Sequence, residues 1–470
     1  MRISLENFST LSIVFALALL VRAAYTVGIY FGVGIEGLFY EDSPIYVALA
    51  QTFLETGDFQ REIADNIYIP ETERMPLYIF FLAIHQGISG SIDPLFPALT
   101  QCFLGALTCL MIYQMAGLID KRLSLLAGIF SAFNPTMIII GTSILTDGLF
   151  FFLTTASLWA AMLWLKGPSL KYAIFLGCIL ALAISTRVMI LPWAGACLIL
   201  LPLGSLLISK FKFSQLGHML FIALIVIASQ SPILIRNIQQ FNSWQLTSQG
   251  GTHTLNWVVP LVMEVNDGTP QVEGAKVMTK RFDEQFGSQQ INNPFEKSNK
   301  MQALAWSEMA KLDTSAILKS WLLGSAINLF SPSPILTPPI KNLPRTGFFD
   351  TPGDSKIEKI KSFLFNNDSM IYAWVLLISL VFLFITRAVQ LIGFIVLIKD
   401  NWVDKTKRLF STGRVQLLFL IIWTVYILLL NGPIASPKYR IPIEPFFGIT
   451  FAAAIVTITI WWGQKKKLSR

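Results

Sequence analysis

Along the chain, apolar residues come in blocks about twenty residues long rather than in the short periods of an amphipathic helix or strand. Runs such as Leu11 to Leu20, Gly148 to Leu165 and Met370 to Thr386 show no polar alternation. That excludes a transmembrane β-barrel, whose strands alternate over about ten residues. Blocks of this length are what a helix needs to cross the hydrocarbon of a bilayer. The pattern predicts spans near 8–30, 95–117, 123–141, 145–165, 170–187, 189–208, 216–235, 370–398, 415–431 and 443–462. Two further apolar runs, 75–91 and 315–331, are nearly long enough to cross. Counting either as a lone crossing puts a basic loop on the wrong side, so each is a half-buried helix or pairs with another crossing. The expected fold is all-α and polytopic, with about 10–13 membrane helices.

Composition removes the soluble alternative. Of 470 residues, 54% are hydrophobic and 14% charged, against roughly 25% charged in globular domains, and the mean hydropathy is +0.60. The net charge of +8 is scattered among short connections: Lys121 and Arg122; Lys166 and Lys171; Lys210 and Lys212; Lys399 through Arg414; and Lys465, Lys466, Lys467 and Arg470. This is a topology signal that places those connections in the cytoplasm, not a nucleic-acid footprint. Phe31 to Arg74 is the opposite, with nine acids against Arg61 and Arg74, and belongs outside. Cys102, Cys109, Cys178 and Cys197 all lie inside apolar runs, without CxxC spacing or a histidine partner, so no disulfide framework or zinc site is encoded. The first apolar run lacks a small-residue cleavage pattern and contains Arg22, so it reads as an uncleaved span.

These signals divide the chain into an N-terminal membrane module (1–235) that includes the acidic outer loop 31–74, an outer-side loop region (236–369) with a possible membrane or re-entrant helix near 315–331, and C-terminal membrane helices (370–470). No internal repeat of the kind that marks secondary transporters is found.

Within the acidic loop, Glu41-Asp42-Ser43-Pro44 precedes an apolar stretch from Ile45 to Thr56 that ends at Gly57. Ser43 suits an N-cap and Pro44 the first helical position, so a helix is expected to begin here and lie along the outer membrane surface. Asp42 then stands at the positive end of the helix dipole, which favours its ionised form. Two readings stay open: a carboxylate that caps the helix, or a general base that takes a proton from a hydroxyl or amine. Arg74, Arg187, Arg236 and Arg440 fall at or near expected outer ends of spans. Singly, each reads as an arginine snorkelling to the interface. Together, on the side that the positive-inside rule leaves poor in cations, they suit an anionic ligand, above all a lipid phosphate. Arg22 and Asp147 are charges at membrane depth, serving either a bundle partner or function. His85 and His218 lack metal-ligand partners, and no P-loop, GxSxG or GxGxxG pattern stands in its proper context.

Six short stretches recur in a familiar order: Asp42-Ser43-Pro44-Ile45-Tyr46 with Gly57-Asp58-Phe59 downstream; Arg74-Met75-Pro76-Leu77-Tyr78; Leu145-Thr146-Asp147-Gly148-Leu149-Phe150; Ser185-Thr186-Arg187; Ile235-Arg236-Asn237; and Tyr439-Arg440-Ile441-Pro442-Ile443-Glu444-Pro445. In this the chain resembles the GT-C superfamily of integral membrane glycosyltransferases, specifically the dolichyl-phosphate-mannose-protein mannosyltransferase-like group and the related aminoarabinose transferases. The resemblance implies a hexosyl- or pentosyltransferase that uses a polyprenyl-phosphate-linked sugar, with an acidic residue of the first outer loop at its catalytic centre. Asp42 matches that position. Many members carry paired acids there; here Glu41 precedes and Ser43 follows, so whether Glu41 shares the role or helps hold a metal stays open. No cofactor is required, and a divalent metal is possible. Arg74 fills the basic position before Pro-Leu-Tyr, Tyr78 ends that motif on the substrate side, and Asp147 is expected to face the same outer cavity.

The chemistry of such a donor fits one carboxylate. The departing phosphate is a stable anion that needs no protonation, so the paired acid of a glycosidase is unnecessary, while arginines stabilise charge accumulating on phosphate. Single displacement with inversion is expected. The implied partners are the bilayer, the lipid-linked donor, and a glycolipid, polysaccharide or protein acceptor. The compact chain favours a glycolipid or cell-envelope polysaccharide, and a bacterial inner membrane with the site on the periplasmic face. Two alternatives stand beside this reading: a lipid or glycan transporter or flippase, and an O-antigen-ligase or polymerase-type enzyme that uses diphosphate-linked glycans.

Overall fold

The computed structural model describes residues 5–287, 289, 291–344, 351–352, 355–399 and 410–468. Lys405, Lys407, Arg408 and Arg470, read above as topology signals, lie outside the described residues. The first part of the chain contains α1 (Leu5–Val33), α2 (Ser43–Thr56), a hairpin of β1 (Gln60–Ala64) and β2 (Ile67–Pro70), α3 (Pro76–Ser89), α4 (Leu95–Ile119), α5 (Ser124–Phe133), α6 (Pro135–Thr142), α7 (Thr146–Lys166), α8 (Leu170–Thr186), α9 (Leu191–Leu207) and α10 (Ser214–Phe241). Next come α11 (Gln249–His253), α12 (Val259–Asp267), α13 (Gln271–Phe286), α14 (Pro294–Met309), α15 (Thr314–Phe330), α16 (Pro338–Lys341) and α17 (Lys356–Phe365). The chain closes with α18 (Met370–Ile398), α19 (Thr412–Asn431) and α20 (Glu444–Leu468), the last entered through a tight turn over Pro437–Ile443.

Among the described residues, eight helices are long and apolar enough to cross a membrane, or nine if the bent pair α5–α6 counts as one span. The central one is α7, with 83% of its most apolar window buried in the protein, against 22% for α1 and α10. Its ends define the bundle's ends. Near Thr146 it meets Arg187, and near Lys166 it meets Lys210, whose ammonium donates to the Lys166 carbonyl at 2.9 Å and to Thr412 at 3.3 Å. At 1.5 Å per residue these ends are about 30 Å apart, the thickness of a bilayer core. Beside α7, the shorter 17-residue α8 runs back between the same two ends, while among the described residues the helices long enough to cross by themselves are fewer than the expected 10–13. The runs 75–91 and 315–331 do not add a crossing: Tyr30 and Asp93 pair across α3, and after α15 the Leu336 carbonyl accepts from Tyr40, so the chain comes back to the same end each time.

The expected span 123–141 is broken by 53° between α5 and α6. Pro135 has no N–H to offer the Ser131 carbonyl, and the Thr136 N–H donates to the Asn134 side chain at 2.9 Å instead of continuing the helix. The two carbonyls left over, Ser131 and Ala132, accept from Arg22 at 3.2 and 3.1 Å. The same guanidinium donates to the Ala18 carbonyl and the Cys109 sulfur. Gly105 makes room for it: a Cβ there would stand 2.7 Å from Arg22 Nε. Arg22 is thus a bundle partner, and the depth at which it sits follows from the helix break it satisfies.

The polar stretch after α10 folds rather than loops. Leu255, Val259, Val262, Met278, Phe282 and Leu304 form a small core of its own. This layer is tied to the first loop, since Ser248 N–H donates to the Thr72 carbonyl at 2.8 Å and its hydroxyl bonds that of Thr72 at 2.9 Å.

Candidate functional site

The first loop is built to hold a short helix still. Gly57 closes α2 at φ +75°, a conformation that glycine adopts without strain. At its start the helix begins at Ser43, one residue before the expected first position. The Ser43 hydroxyl accepts from Tyr40 N–H at 2.7 Å and donates to the Ile144 carbonyl at 2.7 Å, pinning the helix to the α6–α7 connection. Asp42 occupies the cap position, but its side chain makes no capping bond. The capping reading is thereby removed, and the carboxylate, 40% exposed, stands between Arg74 (Nη2 at 3.7 Å) and Lys438 (Nζ at 3.9 Å).

Arg74 is placed by Glu71, a carboxylate without solvent exposure. One Glu71 oxygen accepts the Glu73 and Arg74 N–H groups at 2.6 and 2.8 Å, and the other accepts Arg61 at 2.8 Å. The Arg74 guanidinium then lies 5.7 Å from the Tyr46 ring centre. Burial pushes the Tyr46 hydroxyl up, outweighing Arg187 and Arg74, which pull it down, and it is held beside Thr146. Burial likewise pushes up the Tyr40 hydroxyl, which donates to Leu336 O at 2.8 Å. Both phenols therefore stay protonated and able to donate.

Across Tyr46, Arg187 donates to Thr146 at 2.9 Å and to Asp147 Oδ2 at 2.8 Å. Asp147 is buried at 1% exposure, and its other oxygen has no partner among the described residues. Asp42, Asp147, Arg74, Arg187 and Lys438 thus form one charged cluster at the end of the bundle opposite the basic turns. Three cations face two carboxylates, a donor set that suits an anion better than a divalent metal. Glu41 beside it is exposed, and among the described residues no three His, Cys, Asp or Glu stand together as metal ligands.

Three expected ligand-binding residues lie elsewhere. Tyr78 is wholly buried, donating to Gln101 at 2.9 Å and packed edge-on against Tyr46, so it is the floor under the site. Arg236 donates to the Glu71 carbonyl at 2.8 Å and lies over Phe59, so it braces the hairpin that carries Arg74. Arg440 is 3% exposed and bonded to Glu444 at 2.9 Å; its remaining N–H groups go to Asn328, Ser331, Thr136 and Ser333. The cation that the site does receive from this segment is Lys438. The turn over Pro437–Ile443 winds about three residues per turn, which sends positions 438 and 440 to different sides.

Comparison with known proteins adds to this geometry. Residues 73–235 match the family model described as dolichyl-phosphate-mannose-protein mannosyltransferase. No curated protein sequence matches the chain. Among solved structures, the chain is similar to the oligosaccharyltransferase AglB from Archaeoglobus fulgidus, in complex with an inhibitory peptide and a dolichol-phosphate, with 12% identity over 99% of this chain and 52% of that one, at a TM-score of 0.50. The chain therefore spans about half the length of that oligosaccharyltransferase. ArnT from Cupriavidus metallidurans bound to undecaprenyl phosphate matches at 13% identity over 94% of this chain and 76% of that one, with a TM-score of 0.36. Over residues 73–235 the family model thus agrees with the resemblance carried by the short ordered motifs, and the fold is shared with AglB along the chain.

Proposed function

We propose that this protein transfers a sugar from a polyprenyl-phosphate donor to an acceptor at the Asp42 end of the bundle, by single displacement with inversion. The observation that carries the proposal is an aspartate at a helix start that does not cap its helix, is solvent-accessible, and has two cations at 3.7 and 3.9 Å. Those distances are too long for tight ion pairs, so an arriving phosphate can engage Arg74 and Lys438 while the carboxylate stays free. Asp42 takes the proton of an acceptor hydroxyl or amine as the acceptor attacks the anomeric carbon. The bond from that carbon to the phosphate oxygen breaks, its electron pair stays on phosphate, and the cations stabilise the charge. Asp147, buried behind Arg187, fixes the position of that guanidinium beside Tyr46. The fold it shares with AglB, a protein seen with a dolichol-phosphate, is consistent with a lipid-phosphate ligand.

The basic turns at the opposite end support a site on the outer face of the membrane, in a bacterium the periplasmic face of the inner membrane. The helical layer of α11–α14 beside the site offers a surface for a glycolipid or envelope polysaccharide acceptor. Membranes containing wild-type or Asp42→Asn protein, incubated with radiolabelled polyprenyl-phosphate sugars, test this. One donor is expected to be consumed by the wild type alone. If no donor is consumed in an Asp42-dependent way, the proposal fails, and if lipid or glycan flux persists unchanged in Asp42→Asn, the chain is a transporter.

A further inference from the structure

The segment that brings Lys438 to the site also carries Arg440 into a second charged cluster, whose charges do not balance among the described residues. Glu444 Oε1 accepts Arg440 at 2.9 Å and Arg387 at 3.3 Å, and its Oε2 accepts Asn134 at 2.9 Å. One carboxylate therefore answers two guanidiniums, with exposures of 2%, 3% and 8% for Glu444, Arg440 and Arg387. An unbalanced buried charge is costly, and the arrangement calls for an anion. Arg440 has all its N–H groups engaged. Arg387, by contrast, uses one for the Leu329 carbonyl, one for Gln390 and one for Glu444, which among the described residues leaves two of its five. Next to it the Gln390 side-chain N–H₂, in a residue only 3% exposed, has no partner among the described residues.

Both groups face hollows with apolar walls. One, of about 360 Å³, lies between α5–α6 and α18, against Phe130, Phe133, Ile378, Ser379 and Phe382. The other, of about 390 Å³, lies on the far side of Arg387, against Phe330, Phe384, Phe394 and Phe447. Ile378, Phe382 and Phe384 of α18 are themselves exposed by more than half, so the hollows belong to the lipid-facing side of the bundle. We propose that this is a binding site for an anionic phospholipid of the surrounding bilayer: its phosphodiester, which carries a single negative charge, sits against Arg387 and Gln390, and its two acyl chains lie in the two hollows. A phosphodiester matches the excess of one positive charge, and paired hollows flanking one cation suit two chains better than a single prenyl chain.

Native mass spectrometry of the purified full-length protein, offered phosphatidylglycerol, phosphatidylcholine or undecaprenyl phosphate at equal concentration, tests the site without reference to any activity. The wild type is expected to retain phosphatidylglycerol at least tenfold better than phosphatidylcholine. Arg387→Gln, which leaves the Arg440–Glu444 pair intact, should reduce retention to the phosphatidylcholine level. Ser379→Phe, which fills the first hollow and changes no charge, should do the same and serves where Arg387→Gln fails to fold, as its melting temperature will show. Equal retention of the two phospholipids by the wild type, unchanged retention in Ser379→Phe, or retention of undecaprenyl phosphate in place of phosphatidylglycerol would overturn the proposal.

Discussion

Two carboxylates in this protein, Asp42 and Glu444, each stand between two cations and have opposite properties. Around Asp42 the cations stand at 3.7 and 3.9 Å and the carboxylate is 40% exposed. Around Glu444 they stand at 2.9 and 3.3 Å, every Glu444 oxygen is used, and water is excluded. Composition does not separate the two; slack and solvent do. A loosely held, wet carboxylate is available to a ligand and contributes little to stability, whereas a saturated buried one holds helices together and is strongly destabilising to break. The seven-residue turn Pro437–Ile443 feeds both, with Lys438 to the first and Arg440 to the second.

Substitutions that exchange the roles of the two clusters test this contrast. The largest effect is expected from Asp42→Asn: sugar transfer should fall by about 10²–10⁴-fold, the usual weight of a general base, while the melting temperature in detergent stays within about 1 °C of wild type, as for an exposed ion pair. Glu444→Ala should behave in the reverse way. Two buried guanidiniums lose their counter-charge, so stability should drop by about 3–5 kcal/mol, read from denaturant or thermal melts, while turnover per folded molecule survives. Lys438→Ala should raise the donor KM about tenfold, equivalent to about 1.4 kcal/mol of phosphate binding, with kcat little changed in steady-state assays. Smallest is Ser43→Ala, which removes the bond from Tyr40 N–H and the bond that ties α2 to the α6–α7 connection and should cost about 1 kcal/mol; a loss of activity larger than the loss of folded protein would show that α2 must be held rigidly for Asp42 to work.

The sequence pattern anticipates the bundle, the basic end and the short helix after Asp42, because twenty-residue apolar blocks, cation-rich turns and a Ser-Pro start are local signals. Asp42, Arg74, Asp147 and Arg187 are found together because each lies at a helix end, where chain direction dictates position. Arg440, Arg236 and Tyr78 could not be placed this way. Their destinations depend on partners far along the chain: Thr136 and Ser333 for Arg440, the Glu71 carbonyl for Arg236, and Gln101 for Tyr78. Lys438 stands two residues from Arg440 and carries the same charge, so only the winding of the turn tells them apart. The break at Asn134-Pro135 is written in the proline, but a run of apolar residues on both sides hides it from a hydropathy average.

The arginine in α1 bears on the order of assembly. During synthesis α1 enters the bilayer with Arg22 exposed to lipid, a burden of about 2.5–3.5 kcal/mol for a cation at mid-helix. The carbonyls of Ser131 and Ala132 that relieve it emerge roughly a hundred residues later. Until they arrive, α1 is a poorly anchored helix, and α5 is a helix with two unsatisfied carbonyls in a medium that offers no water. Each repairs the other, so the first and third crossings are bound to settle as a pair, with α4 trapped between them before the remainder of the chain is made.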